Sequence, residues 1–116
     1  MKKRAPVDLS PATLLFAALF FAPAPALRAA DARSENWQTH CSVCHGDDGT
    51  GQTEQGKKKK ARNLTNGKWQ DTIDDARIVK SITKGHDEMP AFGKKLTAPE
   101  ITTLCAEVRS LVKKTP

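Results

Sequence analysis

The chain has 116 residues, a formal net charge of +6 and an aromatic content of 5%, made up of four Phe and two Trp without any Tyr. This length accommodates one domain at most once a leader has been removed. The first 30 positions hold four basic residues and one acidic residue, so residues 31–116 carry only about +3. A charge this small, without basic and aromatic residues interleaved, excludes nucleic acid as the expected partner.

The first 30 residues are typical of a secretory signal peptide. Basic residues at positions 2–4 precede the apolar run 14–22, and small residues follow it. We expect cleavage after an Ala between positions 26 and 32, which leaves 31–116 as the mature domain. The alternative is an uncleaved membrane anchor, but the apolar run is about half as long as a bilayer span requires. Export predicts a periplasmic location without stable membrane insertion.

The first predicted helix spans about 34–44 and delivers the run CSVCH, in which Cys41 and Cys44 precede His45. Two thiols at this spacing, followed at once by an imidazole, are the pattern of covalent haem attachment. The thiols add to the porphyrin vinyl groups, and the histidine supplies the proximal iron ligand. A zinc site would need a second ligand pair of similar spacing, and a thioredoxin-type pair would follow a strand. The sequence has neither, so we predict one covalent haem c.

The rest of the mature chain shows two further helical patterns. The segment 46–68 is rich in Gly and Lys and is predicted to be loop. A second helix is expected over 73–84, started by Thr72 and stopped by Gly85. A third helix, over about 97–112, begins with the capping box TAPE and continues with apolar residues at helical spacing. No alternating strand pattern is present, so an all-α fold is predicted.

The sixth iron ligand is predicted to be Met89. It is the only methionine besides the initiator, and it lies in a polar loop between two helices. A thioether ligand raises the reduction potential and closes the iron, which suits electron transfer. The alternative ligand is His86, which gives a bis-histidine iron of lower potential. His40 is too close to the attachment motif to reach the opposite face and is expected to be exposed.

The segments CSVCHGDDGTG, MPAFG and LTAPEI resemble, in order and spacing, those of small bacterial class I c-type cytochromes. The resemblance covers essentially all of the mature region. It implies an all-α fold of three main helices and loops around one haem held between His45 and Met89. It also implies a one-electron carrier and not an enzyme, with redox proteins as partners. We further expect a monomer.

Three features depart from the pattern of that family. Glu107 occupies a position that is usually aromatic, so the contact between the terminal helices must be built differently, with more weight on Trp37. Cys105 is either a small buried hydrophobe or an exposed thiol that dimerises the protein. No proline follows the motif to position a carbonyl for Nδ1 of His45, so another backbone carbonyl must orient the ring.

The segment ARNLTNGKWQ resembles the part of such cytochromes that covers the haem propionates. There Arg62 or Trp69 would donate to a propionate, unless the segment is simply a solvated loop. Phe92 is expected to pack against the porphyrin edge.

Lysines 57–60 form a dense basic run together with Arg62, and Lys94 and Lys95 follow the loop of Met89. The run is either a solvated loop or a surface that steers an acidic redox partner onto the haem edge. Two other functional interpretations stay open. One is a gas sensor or peroxidase-like protein in which Met89 is labile, and the other is a fixed electron-transfer subunit of a dehydrogenase or oxidase.

Overall fold

The computed structural model describes residues 2–3 and 33–113. In this part of the chain a π-helical turn precedes five α-helices, and no strand is formed apart from an isolated bridge between His86 and Met89. The π-helical turn is Trp37–Cys41, and the helices are α1 Ser42–His45, α2 Glu54–Lys59, α3 Gly67–Gln70, α4 Asp75–Lys84 and α5 Ala98–Ser110. The predicted all-α fold is confirmed.

The first helical segment is wound more widely than an α-helix. The N–H of Ser42 donates to the carbonyl of Trp37, which is the bond of a π-helical turn, and α1 follows directly. Both Trp37 and Cys41 are buried in this turn. Single π-helical turns occur frequently at functional sites. Here the turn ends on the first thiol of the motif.

The prediction that 46–68 is entirely loop is wrong, because α2 and the start of α3 lie within it. Thr53 begins α2, since its hydroxyl accepts the Gly56 N–H at 2.8 Å. Within the helix, Lys58 reaches Glu54 one turn earlier at 2.8 Å. Two of the glycines that indicated a loop, Gly56 and Gly67, therefore lie in helices.

The two longer helices begin at different kinds of cap. α4 begins slightly later than predicted because Asp74, and not Thr72, caps it by accepting a first-turn N–H at 2.8 Å. α5 begins with the predicted capping box. The N–H of Thr97 donates to the Glu100 carboxylate at 2.7 Å, and the N–H of Glu100 donates to the Thr97 hydroxyl at 3.4 Å.

One apolar core joins α4 and α5 to the first helical segment. Its buried members are Trp37, Cys41, Leu64, Ile78, Ile82, Phe92, Leu96, Ile101, Leu104, Cys105, Val108 and Leu111. Trp37 and Leu104 are fully buried, and the indole N–H of Trp37 meets no acceptor among the described residues. Cys105 lies in the core with its Sγ 3.8 Å from the carbonyl oxygen of Asp75, which supports its interpretation as a small buried hydrophobe.

The start of the domain is joined to α5 by polar contacts. Both carboxylate oxygens of Glu107 accept hydrogen bonds from Ser34, one from the backbone N–H at 2.6 Å and one from the hydroxyl at 2.8 Å. Nearby, Arg33 donates to the Ser110 hydroxyl at 2.9 Å and lies over the ring of Trp37, 5.6 Å from its centroid. The terminal contact is thus built from a carboxylate and a buried indole.

Arg109 connects α5 to the chain between α3 and α4. Its guanidinium donates to the Asp75 carboxylate at 2.7 Å and to the carbonyls of Ile73 and Gln70 at 2.8 and 2.9 Å. The buried Gln70 side chain donates in turn to two backbone carbonyls at 2.7 and 2.8 Å. These bonds fix the position of α4, which forms one wall of the site described below.

Candidate functional site

The two thiols of the motif differ in their surroundings. Cys41 is buried, Cys44 is half-buried, and neither forms a disulfide. Val43, between them, is 57% exposed. Burial, the Glu107 carboxylate and Cys44 together raise the pKa of the Cys41 thiol to about 11. The motif therefore presents one thiol to the interior and an apolar side chain to solvent.

His45 is oriented by a backbone carbonyl from the loop that follows α2. Its Nδ1 lies 3.1 Å from the carbonyl oxygen of Arg62. A carbonyl can only accept, so Nδ1 carries the proton and Nε2 is left with the lone pair that a metal requires. Burial lowers the pKa of His45, and the bond to the Arg62 carbonyl opposes that shift. The sequence indicated that such a carbonyl was needed but gave no signal for which one.

The loop that carries this carbonyl is held by close backbone contacts. The Gly51 N–H donates to the carbonyl of His45, and the Leu64 N–H donates to the carbonyl of Gly49, both at 2.8 Å. Gly51 has a φ of +74°, and a Cβ there would lie 2.6 Å from the Ala61 carbonyl oxygen. Only glycine combines this positive φ with so close an approach to the backbone of Ala61. The turn at Gly51 therefore brings the Arg62 carbonyl close to the motif.

Thr53 joins the end of α1 to the start of α2. Its hydroxyl donates to the carbonyl of Val43 at 2.7 Å and accepts the N–H of Gly56 at 2.8 Å. At Gly56 the two helices touch, since a Cβ there would overlap the carbonyl oxygen of Cys44. α1, which carries the motif, is therefore supported by α2, a helix that was not predicted from the sequence.

Met89 and His86 are paired across a tight turn. The His86 N–H donates to the Met89 carbonyl at 3.1 Å, and the Met89 N–H donates back at 2.8 Å. Directly opposed residues of such a pair project to the same side. His86 is 54% exposed, with Nε2 3.3 Å from the Asp87 carboxylate, whereas Met89 is half-buried and packs against the core. Gly85 has a φ of +77°, and a Cβ there would lie 2.7 Å from the Met89 carbonyl oxygen.

Two open clefts meet at the predicted site. Both are lined by Cys41, His45, Arg62, His86 and Met89, and Cys44 lines the second. The remaining wall of the first cleft is mostly apolar and includes Leu64, Ile73, Ile78, Ile82, Leu104 and Val108. Clefts with a mostly apolar wall and a few convergent polar groups bind cofactors and other small molecules. The structure thus brings together both thiols and both candidate iron ligands.

Basic groups lie at the same cleft. The guanidinium of Arg62 stacks 5.0 Å from the ring centroid of Trp69, and both residues line the first cleft. Arg77 and Ser81 of α4 also line it, although no motif in the sequence marked them as site residues. Two guanidinium groups and a hydroxyl fit the carboxylates of a bound group. Donation to a propionate by Arg62 or Trp69 stays a prediction.

Phe92 is buried and lines the second cleft, where its packing against a porphyrin edge also stays a prediction. His40 is half-buried, not exposed as expected, because its ring packs against Phe92 with the centroids 5.3 Å apart. The N–H of Phe92 donates to the carbonyl of Ile82 at 2.9 Å. That bond joins the Met89 loop to α4.

Within residues 2–3 and 33–113, no group of three or more His, Cys, Asp or Glu side chains is arranged to hold a metal ion. No helix in the described ranges has the length and apolar character that crossing a bilayer requires. The apolar run and the cleavage positions of the predicted signal peptide lie outside the described residues.

Residues 28–106 match the protein family described as cytochrome c oxidase, cbb3-type, subunit III. The match covers more than half of the chain, and the chain belongs to this family of c-type cytochromes. It is a class I monohaem cytochrome with an all-α fold, and its cofactor is covalently bound haem c with its iron.

Individual relatives agree with this assignment. The chain is 39% identical over 84 residues to the cbb3-type cytochrome c oxidase subunit FixP of Azorhizobium caulinodans. The aligned residues make up 72% of this chain and 27% of that protein. The chain therefore spans about a quarter of the length of that relative. Among solved structures it is similar to the KustC0563 c-type cytochrome, with a TM-score of 0.63 and 37% identity over 66% of this chain and 93% of the other. A point mutant of KustC0563 matches with a TM-score of 0.60 and 37% identity over 65% and 92%.

These similarities confirm the family, the fold and the cofactor that the sequence predicted, and they support a role in electron transfer.

Proposed function

We propose that this protein is a periplasmic one-electron carrier in which Cys41 and Cys44 bear the haem and His45 and Met89 bind its iron. The observation that carries the proposal is the meeting of both clefts at His45 and Met89, with the two thiols in the adjoining walls. Two free thiols, an imidazole whose Nε2 is available and a largely apolar wall fit a porphyrin bound through one edge and through its iron.

The geometry favours Met89 over His86 as the second ligand. Met89 packs against the core, whereas His86 is largely exposed and lies beside the Asp87 carboxylate. To bind the iron, His86 would have to give up its contacts with the Asp87 carboxylate and with solvent. Met89 needs no such exchange, because its side chain is already among apolar neighbours.

When bound, the haem supplies an Fe(III)/Fe(II) couple. The residues of this chain keep its surroundings constant while one electron passes. The Arg62 carbonyl orients His45, the hydrogen-bonded turn fixes the backbone of Met89, and the apolar wall excludes water. His45 and Met89 as iron ligands would suit electron transfer, because neither would have to leave when the iron changes charge. We therefore expect a carrier and not an enzyme.

The periplasmic location rests on the predicted signal peptide and on the expectation that covalent haem attachment takes place outside the cytoplasm. Expression of the full chain with its own leader, followed by fractionation of the cells, tests it. Haem-bearing protein of the shortened mass in the periplasmic fraction is the expected result. Full-length protein retained in the membrane fraction would support the anchor instead.

A second candidate function is a fixed electron-transfer subunit of an oxidase. The family match and the similarity to FixP favour it. The two candidates differ in whether the cytochrome leaves its partner. Size-exclusion chromatography of native extracts separates them, because a carrier elutes with its haem absorbance at the mass of a monomer, whereas a subunit elutes with the haem of the oxidase.

The absorption spectrum of the reduced holoprotein before and after carbon monoxide tests the iron ligands. We expect no change in the wild type or in His86→Ala, and a shift in Met89→Ala, whose sixth position is open. A shift in His86→Ala alone would identify bis-histidine iron. A rapid spectral shift in the wild type would indicate an open iron and favour a gas sensor or a peroxidase-like protein over the electron carrier.

A further inference from the structure

Glu107 lies on α5 directly behind the wall of the first cleft. Its neighbours Leu104 and Val108 line that cleft, as do Trp37 and Cys41 of the first helical segment. The Glu107 side chain is half-buried, and Ser34 donates to both of its carboxylate oxygens, at 2.6 and 2.8 Å. These two hydrogen bonds therefore hold the Glu107 carboxylate in one position within the fold.

The carboxylate is hydrogen-bonded but not neutralised. Among residues 33–113 no Lys, Arg or His side chain forms an ion pair with Glu107. Its two partners, the N–H and the hydroxyl of Ser34, are uncharged donors and bring no positive charge to the carboxylate. Glu107 is, after burial, one of the causes that raise the pKa of the Cys41 thiol, and Cys41 lines the first cleft.

We infer that Glu107 lowers the reduction potential of the haem, in addition to joining the start of the domain to α5. A fixed negative charge stabilises the more positively charged oxidised iron over the reduced iron. Because the charge is partly buried, solvent and salt screen it less than they screen an exposed carboxylate. The inference rests on the proposed attachment of haem at Cys41 and Cys44. An aromatic side chain at this position would pack between the helices without contributing a charge.

The test is the midpoint potential of the holoprotein, measured by spectroelectrochemistry. Glu107→Gln keeps the size of the side chain and removes the charge, so its potential should rise. Glu107→Asp keeps the charge, so its potential should stay close to the wild type. Glu35→Gln is the control, because Glu35 follows Ser34 directly in the chain but its side chain is exposed. Its potential should change little.

The variant Ser34→Ala distinguishes the effect of the Glu107 charge on the potential from the effect of the contact between Ser34 and α5. It removes the hydroxyl donor and should lower the resistance to denaturant, but it leaves the carboxylate in place and should not raise the potential. A rise in Ser34→Ala equal to that in Glu107→Gln would show that loosening of the contact is the cause, and would overturn the inference. An unchanged potential in Glu107→Gln would also overturn it. If that variant does not retain haem, Glu107→Tyr carries the same expected rise.

The haem content of each variant is measured after denaturation, where covalently attached haem remains with the polypeptide. Wild-type protein without covalent haem would overturn the proposed function and this inference together. Wild-type and variant proteins that hold covalent haem but share one potential would overturn this inference alone.

Discussion

Gly56 of α2 lies so close to the carbonyl oxygen of Cys44 that a Cβ on Gly56 would overlap it. The contact is made one residue before His45, and Thr53 secures it by bonding the Val43 carbonyl and the Gly56 N–H at once. α2 therefore supports the attachment motif through the backbone of Val43 and Cys44. Its position depends on the absence of a single carbon atom.

Replacement of Gly56 by Ala should destabilise the holoprotein by roughly 1–3 kcal/mol, because α2 or α1 must move to admit the methyl group. Gly67→Ala is the matched control, since a Cβ there meets only the flexible Val112 side chain, at 3.2 Å. Guanidinium denaturation followed by haem absorbance measures both. Equal midpoints for Gly56→Ala and the wild type would show that α2 adjusts without cost.

The apo form should be largely unfolded, because the core has few large apolar side chains and much of it faces the clefts. The described aromatic side chains are Trp37, Trp69 and Phe92, and all three line one cleft or the other. A small domain with so few large apolar side chains lacks the buried area to offset its chain entropy unless a cofactor adds to the core. Circular dichroism of Cys41→Ser, Cys44→Ser should show little helix. A spectrum like that of the holoprotein would contradict this.

Removal of the Arg109 guanidinium should lower the free energy of unfolding by roughly 2–4 kcal/mol, because it leaves the partly buried carbonyls of Gln70 and Ile73 without this donor. The group bonds Asp75 and the carbonyls of Gln70 and Ile73. Arg109→Met keeps most of the apolar stem, and Lys80→Met makes a comparable change on an exposed face of α4. Urea denaturation of both holoproteins gives the comparison, and equal losses would mean that the bonds of Arg109 contribute nothing beyond its charge.

Local features of this fold were predictable because their causes are adjacent in sequence. The motif at 41–45 holds both thiols and the histidine within five residues. The capping box of α5 likewise has its two partners, Thr97 and Glu100, three residues apart. α2 was missed because the glycines of 46–68 indicated a loop, although the Glu, Gln and Lys residues of α2 favour a helix. Gly56 is its one poor helix former, and the close contact with Cys44 requires glycine there.

Long-range hydrogen bonds could not be predicted from one sequence. The carbonyl that orients His45 belongs to Arg62, but every residue has a carbonyl, so no side chain marks it. Similarly, Glu107 was recognisable as a departure from its family, whereas its partner Ser34 became evident only when the two ends of the domain were placed together. Sequence patterns report neighbours along a helix, and these bonds join residues that are distant in the chain.

Acid should weaken the protein partly through Glu100. The backbone N–H of Thr97, the side chain of Asn36 and the Thr97 hydroxyl lower the pKa of Glu100 from its ordinary value of 4.5. A folded pKa below the unfolded one gives stabilisation that is present above about pH 4.5 and is lost as the pH falls through the folded pKa. Glu100→Gln should therefore flatten the decline of stability below that pH. The control is Glu54→Gln, at a side chain that is 86% exposed, and an identical flattening there would contradict the assignment to Glu100.

The basic run of α2 should steer an acidic redox partner toward the second cleft. Lys58 and Lys59 are engaged with Glu54 and Glu88 at 2.8 and 3.2 Å, whereas Lys57 and Lys60 form no ion pair within residues 33–113. Lys60 and the exposed Val43 line the same cleft, so an apolar contact and uncompensated charge lie side by side. This arrangement suits a brief encounter with a partner of opposite charge.

Electron transfer from the reduced holoprotein to an acidic acceptor protein should therefore slow as salt is added, since exposed charges are screened within about 10 Å at 0.1 M. Replacement of lysines 57–60 by Gln should flatten that dependence, and Lys57→Gln with Lys60→Gln should account for most of the effect because the other two are already paired. Lys68→Gln with Lys80→Gln removes the same charge away from both clefts and should leave the slope close to the wild type. Stopped-flow rates over a series of salt concentrations measure all three. If the two double variants have the same slope, net charge and not the basic run governs the encounter.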